Sequence, residues 1–320
     1  MFEWIKHGKI FDPRDYPGRW WLHEFAQAPA TLILPDVVRV YFSCRPAPDP
    51  QGSYVSHTAF VDLDRHDLRK IVRLADEPIL PLGTRGTFDE FGVYPVSVIA
   101  REDRLYAYYG GWTRCESIPF TVSVGIAQSL DGGVTFERLG PGPLITSDVH
   151  EPFVISGPKI RHFNGQWHLW YVAGTKWHRI DGRVEAVYKI RHAVSDDGLA
   201  WQRDHRDLLP DVLEADECQA SPDVIEWGGR YHMFFCFKHS VNFRDNARGY
   251  RIGYAWSEDL VHWHRDDSMA GLNFSEEGWD SESAGYPHVF ELDGQLHMLY
   301  IGNQFGRHGF GLATARSPSP

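Results

Sequence analysis

The sequence predicts an all-β protein, a five-bladed β-propeller in which each blade is a four-stranded antiparallel sheet. A proline followed by a β-like run, a turn and an aromatic-rich run occurs five times in the 320 residues, at Pro29, Pro95, Pro158, Pro222 and Pro287. These prolines are 66, 63, 64 and 65 residues apart. A fixed period of this kind is typical of repeat architectures, so each copy is predicted to be one blade of a single domain.

The first half of each repeat is predicted to be a β-hairpin, because a short turn separates two strand-like runs. The turns fall at Pro35-Asp36, Glu102-Asp103, Asn164-Gly165, Gly228-Gly229 and Asp293-Gly294. The second half, as in VSVGIAQSLDGGVTFERL, supplies strands three and four. The acidic turns SLDGG, SDDG and SEDL between those strands resemble fragments of calcium loops. They lack the bidentate glutamate at position twelve, so we interpret them as structural turns.

The last repeat stops after its third strand, in FGLATARS. The N-terminal segment FEWIKHGKIF can supply the missing fourth strand, so the ring is predicted to close by pairing the two ends of the chain. The predicted blades cover approximately residues 20–80, 81–145, 146–212, 213–270 and 271–320 together with 1–12.

The charge and cysteine content of the chain indicate which classes of binding partner and which cellular compartment are expected. The formal net charge is −11, from 43 acidic and 32 basic side chains, which disfavours nucleic acid and anionic membranes. The four cysteines show no C-x-x-C spacing, and Lys6, His7 and Lys9 interrupt the place where a signal peptide would have its apolar run. These features predict a soluble cytoplasmic protein with reduced thiols. They leave the oligomeric state open, and no metal or cofactor is predicted.

Carboxylates precede every inner strand, on the face where residues before strand one and residues after strand two converge. A glutamate stands five positions before the proline in four blades: Glu24, Glu90, Glu217 and Glu282. Asp89 and Asp280 accompany two of them, and the third blade offers Glu151. We expect these acids to approach the central channel. Crowding and burial would then raise and couple the pKa values of several of them.

The loops after the second strands reach the same face. They carry the predicted substrate-binding residues Arg45, Trp112, Lys176, Trp177, His178, Lys238, His239 and Asn303, to which Glu90 and Glu282 are added. Indole rings and polar groups around acids suit a sugar, which has apolar ring faces and many hydroxyls. The sequence therefore predicts a carbohydrate or a sugar-containing small molecule as the ligand.

With its five repeats, its S-x-D-G-x-x-W-like turns and its acids before inner strands, nearly the whole chain resembles the five-bladed propeller glycosidases. That superfamily includes glycoside hydrolase families 32, 43 and 130. The segments FDEFG, HEPF, DECQA, WDSE, YPHVF and GFGLA are more closely similar to a group of bacterial proteins known as glycosyl hydrolase-like. The resemblance implies that two or three inner-strand carboxylates act as nucleophile or base, general acid and modulator.

The chain departs from those families at the positions that define their motifs. Family 43 typically has Asp directly before the blade proline, where this chain has Ala28, Tyr94, Gly157, Ser221 and Tyr286. The W-M-N-D-P-N motif of family 32 is absent, and FDPRD at 11–15 is a weak echo of it. The superfamily's fold therefore carries over more directly than its catalytic roles.

A glycoside hydrolase-like enzyme is the first hypothesis for function. Glu217 would be the general acid, and Asp89 or Glu24 the nucleophile or base, with Asp280 and Glu151 tuning those groups or binding hydroxyls. Two alternatives stay open. One is glycosyl transfer, as in a phosphorylase or glycosyltransferase, with phosphate bound by basic loop residues such as Arg244, Arg248 and Arg251. The other is a non-catalytic carbohydrate-binding propeller.

Overall fold

A computed structural model describes residues 1–180, 182–213, 216–244 and 248–316. It contains five separate four-stranded sheets, and every strand pair within them is antiparallel. The five-bladed β-propeller predicted from the repeats is confirmed.

The strands are numbered in chain order, beginning with β1 (Trp4–Phe11). The first blade contains β2 (Glu24–Ile33), β3 (Val37–Arg45), β4 (His57–Asp64) and β5 (Ile71–Leu74). The second contains β6 (Gly92–Arg101), β7 (Arg104–Arg114), β8 (Phe120–Ser129) and β9 (Glu137–Arg138). The third contains β10 (Ile155–Phe163), β11 (Gln166–Ile180), β12 (Arg183–Ser195) and β13 (Gln202–Arg203). The fourth contains β14 (Cys218–Trp227), β15 (Arg230–Lys238), β16 (Arg251–Ser257) and β17 (His264–Arg265). The fifth contains β18 (Gly285–Leu292), β19 (Gln295–Ile301) and β20 (Phe310–Ala315), with β1 as its outer strand.

Ring closure follows the prediction, because β1 pairs with β20 in an antiparallel ladder that sets Trp4 opposite Ala315. Helical structure in the described residues is limited to short turns at Pro13–Asp15, Asp267–Met269 and Asn303–Gly306. Across the same residues, none of the helical segments has the length and apolar character needed to span a bilayer.

Turn residues set the register of the inner hairpins. In four of them the predicted two-residue turn is observed, with left-handed backbone at positions such as Glu102 (φ 56°) and Asn164 (φ 53°). The first hairpin differs by one residue: its turn spans 34–36 and Leu34 N–H donates to the Val37 carbonyl. The acidic turns between strands three and four are structural, as predicted. The carboxylates of Asp131, Asp197 and Asp259 each accept backbone N–H groups of their own turn.

Every inner strand contains a bulge beside its proline. The register shifts between Gln27 and Ala30 in the first blade, and similar shifts occur in the other four. Left-handed backbone marks several of these bulges, as at Ser221 (φ 50°) and Tyr286 (φ 49°). An extra residue in one strand changes the alternation of side chains beyond it. The bulges therefore decide which residues ahead of the prolines face the axis.

Candidate functional site

Four predicted catalytic acids, Asp89, Glu151, Glu217 and Asp280, are buried inside their own blades, and we call them the in-blade acids. In the second blade, the Tyr109 hydroxyl and the Arg138 guanidinium donate to Asp89 at 3.0 and 2.7 Å. In the fifth, Asp280 accepts from Tyr300 at 2.9 Å and from Lys6 at 2.7 Å. The acid thus links its blade's second strand to its fourth.

The third blade repeats this arrangement with more donors, and the fourth keeps the fourth-strand arginine but, among the described residues, has no tyrosine donor. Glu151 accepts from the Tyr171 hydroxyl at 2.8 Å and from Arg191 and Arg203 at 3.1 and 2.8 Å. Glu217 accepts from Arg265 at 2.6 Å, from the Gln219 amide and from the backbone N–H groups of residues 212 and 213.

Each in-blade acid is at most 2 % exposed and its charge is balanced by a basic side chain of the same blade. This pattern supports a role in holding the blade's strands together, and the catalytic roles stay predictions. Asp148, Glu151 and His205 could in principle hold a cation, since their ligand atoms lie within 4.8 Å of one another. Arg203 donates to both carboxylates, however, and its charge disfavours a cation there.

Glu24 differs from the in-blade acids because it lies beside the central cavity. It begins β2 and is 7 % exposed, and Arg307 Nε donates to its Oε2 at 2.6 Å. Burial by itself raises the pKa of Glu24, but the nearby Tyr54 and Arg307 outweigh burial and lower it. Tyr54 also lines the central cavity. Glu24 is therefore an ionised carboxylate at neutral pH, one side chain away from the cavity wall.

The other two predicted glutamates do not line the cavity. Glu90 is half-buried and accepts the Gly86 N–H, and Glu282 is exposed.

The central cavity has a volume of about 490 Å³ and receives residues from all five blades. It opens on the face where inner strands begin and second strands end. Seven aromatic side chains line it: Tyr54, Tyr94, Trp112, Phe120, Tyr188, Tyr250 and Tyr286. Arg45 and Arg114 add two positive charges, and no Asp or Glu is among the described lining residues. The cavity is thus an aromatic, cationic pocket, in contrast to the acidic channel that the sequence predicted.

One wall of the cavity contains the predicted loop residue Trp112 together with Phe120, and the other predicted loop tryptophan, Trp177, packs against Phe120 without lining the cavity. The edge of Phe120 meets Trp112 at a ring separation of 6.4 Å and Trp177 at 5.6 Å. Trp112 lies directly over Gly92, where an added Cβ would come within 1.7 Å of Nε1 of the indole. Only glycine leaves room for the indole at that position.

A second wall is a cluster of tyrosines backed by a buried lysine. The hydroxyls of Tyr188 and Tyr250 lie 2.5 Å apart, and burial raises the pKa of both phenols well above the ordinary value of 10.0. Behind them, Lys238 is 3 % exposed, and its ammonium lies 3.3 Å from the centre of the Phe243 ring. Burial lowers the pKa of Lys238. The predicted binding residue Lys238 therefore supports the cavity wall without lining it.

The remaining predicted binding residues lie outside the cavity. Lys176 forms an ion pair with Asp216 at 2.5 Å, and His178 Nε2 lies 2.9 Å from the other oxygen of the same carboxylate. Asn303 binds the backbone N–H groups of Glu282 and Ser283 through its Oδ1, so it orders a loop. The half-buried His239 follows β15 and donates its backbone N–H to the Arg248 carbonyl.

A buried polar cluster crosses the axis on the inner strands, and we call it the axial cluster. Asp223 binds Arg161 and His288, each at 2.5 Å, and Lys159 lies 3.7 Å away. His288 Nε2 accepts the Thr31 N–H, so its Nδ1 carries the proton and donates to Asp223. Burial by itself raises the pKa of Asp223, but Arg161 and Lys159 hold it well below its usual range. Burial lowers the pKa of His288 to about 4. The cluster joins blades one, three, four and five.

Sequence reasoning missed most of the cavity residues. Tyr94 and Tyr286 did carry a signal, since each stands directly before a repeat proline and thus at a bulge. Arg114 and Phe120 carried none. Tyr188 and Tyr250 share one repeat position, because each stands seven residues before the turn serine, Ser195 or Ser257, and sequence reasoning did not use that recurrence.

Comparison with known sequences gives relatives that match most of the chain and others that match part of it. No family model matches the chain. "Uncharacterized protein MT1551" of Mycobacterium tuberculosis (strain CDC 1551 / Oshkosh) is 34% identical over 314 residues, which cover 97% of this chain and 98% of that protein. "Uncharacterized protein Rv1502" of strain H37Rv gives the same values. A "Probable sucrose-6-phosphate hydrolase" of Vibrio cholerae is 31% identical over 153 residues, 47% of this chain and 25% of the hydrolase.

Solved structures share the fold at low sequence identity. A structure described as "Glycoside hydrolase" has a TM-score of 0.74 and 17% identity, covering 98% of this chain and 92% of the other protein. A thermostable family-43 glycoside hydrolase has a TM-score of 0.66 and 17% identity, covering 94% and 96%. These likenesses show that the chain has the propeller fold of glycoside hydrolases.

Proposed function

We propose that this chain, which belongs to the same family as the Mycobacterium tuberculosis proteins MT1551 and Rv1502, binds a carbohydrate in its central cavity and acts on a glycosidic bond. The observation that carries the proposal is the 490 Å³ cavity lined by seven aromatic rings at the axis of a glycosidase-type propeller. Aromatic faces match the apolar faces of sugar rings, and the tyrosine hydroxyls can hydrogen-bond sugar hydroxyls. The partial likeness to a sucrose-6-phosphate hydrolase supports the same substrate class.

Glu24 is the carboxylate best placed to take part in the chemistry. Its lowered pKa keeps it ionised at neutral pH, and its partner Tyr54 lines the cavity. An ionised carboxylate is what a base or nucleophile requires in glycoside hydrolysis. The predicted general acid, Glu217, would first have to give up its ion pair with Arg265. We therefore assign Glu24 the role of base or nucleophile. We assign the in-blade acids the role of holding the strands of their blades together.

A non-catalytic carbohydrate-binding propeller is the second candidate. It is favoured by the absence of any Asp or Glu among the described residues that line the cavity, because both common glycosidase mechanisms use two carboxyl groups. The tyrosine hydroxyls are poor replacements for a general acid, since their raised pKa values lie far from neutrality.

The test combines binding and turnover on one set of variants. Nitrophenyl glycosides of the common hexoses and pentoses are assayed for release of nitrophenol, and binding of the same sugars is measured by calorimetry. We expect Glu24→Gln to lower kcat at least about a hundredfold, the usual scale for losing acid–base catalysis, with little change in affinity. The exposed Glu282→Gln is the matched control and should keep normal kcat. Sugar binding without turnover of any glycoside would select the second candidate instead.

A further inference from the structure

Two arginines on the cavity wall have a different environment from the other basic groups near it. Arg45 ends β3 and Arg114 ends β7, so they come from the first and second blades and both line the cavity. The Arg45 guanidinium lies 4.2 Å from the centre of the Phe25 ring, and the Arg114 guanidinium lies 4.2 Å from that of Phe91. Stacking on an aromatic face holds a guanidinium plane in place and leaves its N–H edge available for hydrogen bonds.

Both guanidinium groups converge on Tyr54. Arg114 donates to the Tyr54 carbonyl at 3.1 Å, and the Arg45 guanidinium is 5.3 Å from the centre of the Tyr54 ring. Among the described residues, the two guanidinium groups make one other hydrogen bond, a long one of 3.5 Å from Arg45 to the Gln27 side chain. Because each guanidinium has five N–H donors, most donors of both groups remain available to a ligand.

No carboxylate in the described ranges lies within 4 Å of either guanidinium group. At the same mouth of the propeller, Arg307 is paired with Glu24 and Lys176 with Asp216. The chain as a whole has 43 acidic side chains and a net charge of −11, so partners of the right sign are abundant elsewhere. Two arginines on the wall of one cavity, each without a carboxylate within 4 Å among the described residues, would instead attract a negatively charged ligand group.

We propose that Arg45 and Arg114 form a subsite for the anionic substituent of a sugar, a phosphate or a carboxylate group. The inference rests on the proposed function, since it assumes that the sugar itself occupies the aromatic part of the cavity. A planar guanidinium binds phosphate and carboxylate oxygens through paired N–H donors, and two such groups can bind one anion from two sides. The substrate class is therefore an acidic sugar, either a sugar phosphate or a uronic acid.

Calorimetry with four probe sets tests the proposal at low ionic strength, where ion pairs are least screened. The probes are hexoses, their 6-phosphates, the corresponding hexuronates and inorganic phosphate. We expect at least one acidic sugar to bind about tenfold or more tightly than its neutral parent, the scale of a charged hydrogen bond. Arg45→Gln and Arg114→Gln should each remove most of that gain, so that the ratio of acidic-sugar to neutral-sugar affinity falls toward one. The ratio of 6-phosphate to hexuronate affinity identifies the preferred anion.

Arg104→Gln is the matched control, because it makes the same charge change at the opposite end of β7. It should bind every probe as the unaltered chain does. Equal affinity for neutral and acidic sugars, unchanged in Arg45→Gln, would overturn the anionic subsite and leave the proposed function standing. If inorganic phosphate binds as tightly as any hexose phosphate, the anion subsite stands, but the sugar ring contributes nothing to binding and the proposed carbohydrate site is wrong. No binding by any probe at about 10 mM, weaker than about −3 kcal/mol, would overturn both.

Discussion

The in-blade acids and the central cavity lie on the same side of the propeller, yet their polar groups are satisfied in opposite ways. Each in-blade acid is buried against a basic side chain of its own blade, and a tyrosine hydroxyl joins three of the four pairs. The cavity instead presents tyrosine hydroxyls and two arginines without carboxylate partners among the described residues. The in-blade acids thus hold together the strands of four of the five blades. The site for a ligand also uses some equivalent repeat positions, such as those of Tyr94 and Tyr286, but the residue types there differ between most blades.

The largest expected effect is the loss of stability on neutralising Glu217, because this change removes the charge partner of a buried arginine. Arg265 is 2 % exposed at its side chain and would keep only Asp267, which is 23 % exposed. Breaking a buried ion pair costs about 3–5 kcal/mol, so Glu217→Gln should lower the free energy of urea-induced unfolding by about 3 kcal/mol. Affinity for sugars at the cavity should be unchanged in the folded protein.

The exposed Glu282→Gln is the control for that change and should alter stability by less than about 0.5 kcal/mol. Normal stability together with a turnover about a hundredfold lower would restore Glu217 to the general-acid role that the sequence predicted.

Lowering the pH should reduce the stability of the fold while leaving ligand binding in the cavity nearly unchanged. Burial lowers the pKa of His57, His192, His288 and His297 to about 4, whereas an unfolded histidine has a pKa near 6.5. Between these values the unfolded chain binds protons that the folded chain does not, so stability is full above pH 6.5 and is lost as pH falls toward 4. Each histidine should contribute a slope of up to about 1.4 kcal/mol per pH unit.

The measurement is the free energy of unfolding in urea at pH 7 and pH 5. His57→Gln should have a shallower dependence on pH than the unaltered chain, and the exposed His66→Gln should have the same dependence. Arg, Tyr and Trp do not titrate in this range, so hexuronate affinity should change less than about threefold. A stability that does not change with pH would contradict the buried neutral state of these histidines.

Gly92→Ala should lower the affinity of the cavity for sugars and have a smaller effect on the stability of the fold. Its Cβ would come within 1.7 Å of Trp112 Nε1, so the indole must move away from the cavity wall. We expect about a tenfold loss of sugar affinity by calorimetry, comparable to Trp112→Ala and equal to about 1.4 kcal/mol. Gly140→Ala is the control, since nothing lies within 4 Å of its added Cβ. Unchanged affinity in Gly92→Ala would show that Trp112 does not contact the sugar.

The sequence by itself determined the repeat, the hairpins and the closure of the ring. These features depend on short-range chemistry: Gly, Asn and Asp at turns, apolar runs in strands, and a constant spacing of about 64 residues between prolines. Burial of the acids ahead of the inner strands could be anticipated only in part, because the recurring glutamate position is buried at Glu217 but half-buried at Glu90 and exposed at Glu282.

Tertiary structure decided most of the residues that form the candidate site, although the sequence had pointed to Arg45 and Trp112. The bulges beside the prolines change which upstream side chains face the axis, and Arg138 and Arg265 reach their blade's acid from its fourth strand, nearly 50 residues later. The cavity itself is assembled from five separate parts of the chain, whose side chains meet only when the ring closes. An unpaired buried charge is costly, so each buried carboxylate needs a cationic side chain beside it. Which side chain that is depends on how the strands pack in three dimensions, and the position of the carboxylate in the sequence does not predict it.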